Sequence, residues 1–257
     1  MTPVQTIIAK ELRCYFVSPI IYVVGGVFVA IAGFLAYLAM VNAGHQAVRM
    51  MQIQNTHAQL NLNDLVFRPV FDSLDIVLLL TLPLLTMRLF AEERKLRTFE
   101  LLITSPVGIN EIVSAKFMSV FVIYLGFLTL TGLTPLLLAH YINFNFDWNP
   151  VLTGYMALAL QGGLFLAMGV LGSALTENQI VAAFLSFGLI LAVWLLGGLG
   201  SMLGDTVLGA TLSYLSFTEH YDRLVRGFLD IKDIVYYVSG TVLMLFVAHR
   251  VIESNRW

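Results

Sequence analysis

The chain has 257 residues, of which 58% are hydrophobic and only 12% charged, with a net charge of -2 and a mean hydropathy of +0.84. That balance excludes an ordinary soluble domain with a solvated surface and describes a membrane protein. A lone cysteine, Cys14, excludes an intrachain disulfide and a cysteine-rich metal site.

Residues 1–18 are polar enough to stay out of the membrane core. Ile7, Ile8, Leu12, Tyr15 and Phe16 fall near one helical face, and Lys10, Glu11 and Arg13 fall largely away from it. This predicts a helix lying in the interface, ended by Ser18-Pro19. Apolar runs follow at 20–41, 70–90, 112–139, 152–175, 180–203 and 234–249, the last being the shortest. Hydrocarbon about 30 Å thick needs about 20 apolar residues per helix, so the pattern predicts an all-α protein with six transmembrane helices. The first run is too long for a signal-peptide core and is read as retained.

The polar connection Asn42 to Pro69 carries no motif, and His45 and His57 have no ligand cluster near them. Asp72 and Asp75 open the second run, where carboxylates favour a helix N-terminus, and are read as end-of-helix markers. Six ionisable residues then crowd into nine positions, Glu92 to Glu100. Leu96, Phe99, Leu102 and Ile103 repeat at helical spacing, with Glu93 four residues before Arg97, which predicts a short amphipathic helix within the region 91–111. Ser105-Pro106 reads as an N-cap and first helical position leading into the third run.

Past His140, the aromatic residues Tyr141, Phe144, Phe146 and Trp148 are interface anchors. Gln161-Gly162-Gly163 interrupts the fourth run, where small residues allow close helix approach and a buried amide needs a partner. Thr176 to Gln179, "TENQ", is a tight turn. In the segment 204–233, Ser216 to Glu219 fits a capping box. Tyr221, Leu224, Val225, Phe228 and Leu229 continue as an apolar stripe, with Asp222 and Arg226 at i,i+4. This predicts an amphipathic helix on the outer membrane face or folded back into it.

With six spans and a cytoplasmic N-terminus, nine basic residues fall on inner segments and five on outer ones, which favours both termini inside. None of the four lysines follows a glycine, so no phosphate-binding loop exists; G-x-S-x-G and H-E-x-x-H are absent as well. The spans carry almost no ionisable residues of the kind a gradient-driven transporter uses.

The stretch "PLLTMRLFAEERKLRTFELLITSPV", Pro83 to Val107, resembles the second-helix and coupling-helix region of type-2 ABC transporter permeases, particularly those similar to the gliding-motility permease. "KELRCYFVSPI", Lys10 to Ile20, is similar to the N-terminal connecting helix of the same subgroup, and the turn at Thr176 to Gln179 fits as well. The resemblance implies a non-catalytic permease subunit in the inner (cytoplasmic) membrane. Its coupling helix, with Glu92, Glu93, Arg94, Arg97, Thr98, Glu100, Leu101 and Leu102, would dock on a separate cytoplasmic ATP-binding subunit. Tyr221, Leu224, Val225 and Phe228 would form an outer gate. The chain itself would bind no cofactor or metal, ATP and magnesium being used by the partner. Other implied partners are a second permease, identical or not, membrane lipids and an extracytoplasmic auxiliary protein, with no nucleic acid. Relatives commonly have Gly where Arg97 stands. A membrane anchor driving an extracytoplasmic partner without moving solute is the alternative.

Overall fold

The computed structural model describes residues 3–53, 63–99, 107–142, 147–204 and 206–254, and these form helices and turns with no strand among them. Helix α1 (Pro3–Val17) and α2 (Pro19–Ile53) meet at the Ser18-Pro19 break. A π-helical turn, Asn63–Phe67, leads into α3 (Arg68–Thr86), and a bend leads to the short α4 (Ala91–Lys95). Then come α5 (Ile109–Thr131), α6 (Leu133–Ile142), α7 (Trp148–Ala174) and α8 (Gln179–Met202). Two nine-residue helices, α9 (Val207–Leu215) and α10 (Phe217–Val225), precede the final α11 (Ile231–Ser254). Six helical stretches are long and apolar enough to cross a membrane, which makes the protein an all-α six-span membrane protein.

The fourth span, α7, is the axis of the bundle. Every residue from Gln161 to Ala174 is buried, and α3, α5, α8, α10 and α11 all pack on it. Small residues make this possible: a Cβ on Gly162 would collide with the Tyr124 ring, and one on Gly169 with the Thr86 side chain. Without a hydrophobic drive between helices in lipid, such close contact supplies the packing energy. Gln161 is fully buried and its Nε2 donates to Asp75 Oδ1. Asp75 is therefore not the helix-end marker its position suggests; it is a buried partner two turns inside α3, drawn in because the amide opposite needs an acceptor.

The third span is broken at Gly132, unlike the continuous run read from sequence, because Pro135 has no N–H to return to the carbonyl of Thr131. The segment Ser105-Pro106 and the aromatic residues Phe144 and Phe146 lie outside the described residues. The third span instead starts at Gly108, whose N–H donates to the Glu111 carboxylate at 3.2 Å.

Toward the Trp148 end of α7, α9 and α10 turn back into the bundle. Ser216 ends α9 and caps α10, its hydroxyl accepting the N–H of Thr218. Phe217 packs edge-on against Phe165, more than halfway along α7 from its Trp148 start, with ring centroids 4.9 Å apart. The amphipathic helix predicted here is thus folded inward, and it is shorter than its apolar stripe. Gly227, at φ 92°, turns the chain after Val225, so Tyr221, Leu224 and Val225 are buried while Phe228 and Leu229 are exposed.

Candidate functional site

The elbow between α3 and α5 is where the sequence concentrates its charge. Pro83 weakens the end of α3, and the chain bends through Met87 to Phe90. Ser173, buried on α7, takes over the lost helix bonds: its hydroxyl accepts the N–H groups of Phe90 and Ala91 at 2.9 and 3.1 Å and donates to the Met87 carbonyl at 3.2 Å. The elbow is therefore a joint pinned to the central helix and not a straight extension of the second span.

Helix α4 then stops after five residues. The Thr98 N–H bonds to the Glu93 carbonyl and the Arg97 N–H to the Arg94 carbonyl, both at 3.0 Å, with Arg97 left-handed at φ 56°. This double bond pattern is a Schellman cap, whose left-handed position favours glycine. Arg97 therefore holds a strained backbone there. The amphipathic helix does not run unbroken from Glu92 to Phe99. Leu96 is exposed while Phe99 is buried against Phe90, and the expected Glu93–Arg97 pair is replaced by Arg88–Glu92 at 2.9 Å.

Glu93 turns inward instead. Lys116 of α5, only 1% exposed, places its Nζ 2.8 Å from Glu11, 3.0 Å from Glu93 and 2.7 Å from the Leu89 carbonyl, over the Phe90 ring. One ammonium thus satisfies three acceptors from α1, α4 and the bend. Burial of an ion pair is tolerated only with this kind of geometry. Glu11 accordingly lies on the packed face of α1, correcting the face read from sequence; the apolar neighbours fit its stem and the hidden lysine takes its charge.

Two further contacts fasten this region together: Tyr15 of α1 donates to the Leu85 carbonyl in the last turn of α3 at 2.7 Å, and Arg88 of the bend donates to Ser18, just past α1, at 2.6 Å. At the rim, Lys10 lies 3.3 Å from Glu93. Burial of its stem disfavours the charge, but the Glu93 and Glu11 carboxylates outweigh that and hold Lys10 above the ordinary lysine value. Between α1 and the elbow lies a cleft of about 760 Å³, lined by Lys10, Arg13, Arg88, Glu92, Leu96 and Thr98 among others.

Of the residues singled out from sequence, Glu92, Arg97 and Thr98 stand at or near this surface; Arg94 is half-buried, 5.0 Å over the Phe99 ring, with its Nε and one terminal nitrogen buried and without a hydrogen-bond partner among the described residues. Glu100, Leu101 and Leu102 lie outside the described residues. Tyr221, Leu224 and Val225 sit inside the bundle, the Tyr221 hydroxyl donating to the Phe71 carbonyl at 2.7 Å, and Phe228 stands apart from them on the surface. Sequence reasoning missed Lys116, Glu11 and Ser173. For Lys116 a signal existed: a lysine two turns into an apolar helix needs a buried carboxylate. Ser173 carried none.

Among the described residues there is no group of three or more metal ligands; the arrangement can transmit force between segments. A family model described as ABC-2 family transporter protein matches residues 5–252, nearly the whole chain. No curated protein matches it.

Proposed function

Because this chain belongs to the ABC-2 family of transporter proteins, we propose that it is the permease subunit of an ABC transporter. It couples ATP hydrolysis by a separate cytoplasmic subunit, which uses ATP and magnesium, to export or movement of a substrate. The observation that carries this reading is the elbow: a charged surface element, pinned by Ser173 to the central span and by Lys116 to α1 and α5. A push on such an element reaches three spans at once, whereas a push on a loose loop is absorbed. The lack of a phosphate loop in the chain supports a partner as the source of energy.

In this reading Glu92, Arg94, Arg97 and Thr98 form the docking surface with Glu100, Leu101 and Leu102, and Glu93 holds that surface in place from within. A second permease, identical or not, completes the pathway, and the inward hairpin α9–α10 shapes its far end. Both termini and the elbow face the cytoplasm from the inner membrane. The resemblance of Lys10 to Ile20 and Pro83 to Val107 to gliding-motility permeases supports that subgroup.

The test is purification of the tagged chain from its native membranes beside a Glu100→Arg variant, with identification of co-purifying proteins and an ATP hydrolysis assay. Wild type should bring down an ATP-binding subunit that the variant loses while its spans stay folded. An equal yield of that subunit with both chains, or none with either, would refute the docking assignment.

A further inference from the structure

The packing of α3 on α7 encloses a carboxyl and an amide whose hydrogen bonds do not balance. Gln161 is fully buried and Asp75 nearly so. The amide Nε2 donates to Asp75 Oδ1, while its Oε1 is buried with no donor among the described residues. An ionised carboxylate only accepts, so it cannot supply one. Turning the amide over moves the deficit without removing it: Oε1 then meets Oδ1, two acceptors in contact, and Nε2 takes the unpaired place. The pair is one proton short in either orientation, and an unmade buried hydrogen bond is costly.

Nothing around Asp75 balances a negative charge. The charge that acts on it is that of Asp72 on the same helix, negative as well, and the π-helical turn before α3 carries Asp64, also acidic. Tyr124 of α5, Tyr221 of α10 and Tyr237 of α11 lie close enough to feel its charge. Their hydroxyls are engaged by the carbonyls of Leu158, Phe71 and Phe217. Helix α7 adds Tyr155, edge-on to Phe71, and α8 carries no ionisable residue. On α2, Tyr22 and Tyr37 are exposed, and His45 and Arg49 lie beyond the apolar run. The cations of the packed elements are taken: Arg68 by Asp222, Arg88 by Glu92, Lys116 by Glu11 and Glu93, and Arg223 by Asp233. A lone carboxylate inside a membrane bundle is expensive, and a neutral carboxyl is far less so.

We propose that Asp75 is a proton-binding site in the interior of the bundle: one proton on Oδ2, donated to Gln161 Oε1, closes a neutral acid–amide ring that clamps α3 to α7. Nε2 donates to Oδ1 and Oδ2 donates to Oε1, so neither side chain keeps an unpaired polar atom. A metal cation does not suit the place. The direct bond from Nε2 to Oδ1 leaves no gap between the two side chains, and the nearby Phe71 and Leu158 carbonyls already accept from tyrosines. Along α7 the clamp lies about three turns from Ser173. Helix α3, which leads into the elbow, is thus fastened to α7 at two depths, by Ser173 at the Met87 carbonyl and by the shared proton further in. A push at the elbow then moves α3 and α7 as a pair. That consequence rests on the elbow being the input; the proton site itself does not.

The experiment is infrared spectroscopy of the purified full-length protein in lipid nanodiscs at pH 7, with aspartate carrying 13C in its side-chain carboxyl. Wild type should show the C=O stretch of a protonated carboxylic acid, displaced by the label. Asp75→Asn should remove that band and Asp72→Asn should leave it. Gln161→Leu should move it to higher frequency, as for a carboxyl that has lost its acceptor. Asp75→Asn should also keep the wild-type thermal midpoint, because an asparagine amide closes the same ring without a proton, whereas Asp75→Leu should lower it. If Asp75→Asn fails to fold, the displacement in Gln161→Leu assigns the band. A wild-type spectrum with no labelled carboxylic-acid band at pH 7, or a band indifferent to both Asp75→Asn and Gln161→Leu, would overturn the site. So would a carboxylate band, lost in Asp75→Asn, that moves with added sodium or potassium, since the ligand would then be a metal cation.

Discussion

The two ends of this bundle each bury a charged cluster, and they are built in opposite ways. At the elbow one lysine gathers carboxylates from segments 23 to 105 residues away in the chain, Glu93 and Glu11. At the hairpin one carboxylate, Asp233, gathers His220 and Arg223 from only 13 and 10 residues away. Long-range ties make the elbow part of the body of the protein, so that motion there is motion of α1, α3, α5 and α7 together. At the hairpin the charged cluster itself is local, and the ties to the spans are left to the Tyr221–Phe71 hydrogen bond, the Arg68–Asp222 pair and the Phe217–Phe165 contact.

The sharpest way to break this contrast is at Lys116. Lys116→Met should cost about 3–5 kcal/mol, since it strands Glu11 and Glu93 without their cation. A large fall in thermal midpoint, reversed in part by a second change of Glu11→Gln, would check it. Asp233→Asn comes next. It leaves Arg223 and His220 facing each other without the carboxylate, at about 2–4 kcal/mol. Its loss of protection, read by hydrogen exchange, should be confined to 207–233, whereas that of Lys116→Met should reach α1, α3 and α5.

Ser173→Ala should cost roughly 1–3 kcal/mol by leaving the Phe90 and Ala91 N–H groups unpaired, and should lower coupled ATP hydrolysis more than Ser186→Ala does. The smallest effect has the opposite sign. Arg97→Gly should stabilise the elbow by up to about 1 kcal/mol through relief of the left-handed strain, a slight rise in thermal midpoint.

Much of this fold was legible because apolar length and charge placement are coarse signals that lipid enforces. The six spans, the Ser18-Pro19 break and the Ser216 cap are examples. What was illegible depends on pairing across the bundle. Glu11 looked like a solvated residue of α1 until Lys116 was placed opposite it, and Asp75 like a helix-end charge until Gln161 met it. The elbow was located correctly, but its shape was not. Helical spacing from Leu96 to Ile103 cannot reveal that the chain reverses at a left-handed Arg97, because a Schellman cap without glycine leaves no mark in composition.

The most direct measurement joins the two ends: ATP-dependent hydrogen exchange of 207–225 in the purified complex with its ATP-binding subunit, wild type beside Lys116→Met. If the elbow is the input and Lys116 its link to the spans, ATP should change exchange at the hairpin in wild type. It should leave it unchanged in the variant, even though the ATP-binding subunit remains attached. An equal ATP response in both proteins would contradict the account, because the signal would then reach the hairpin without the buried lysine.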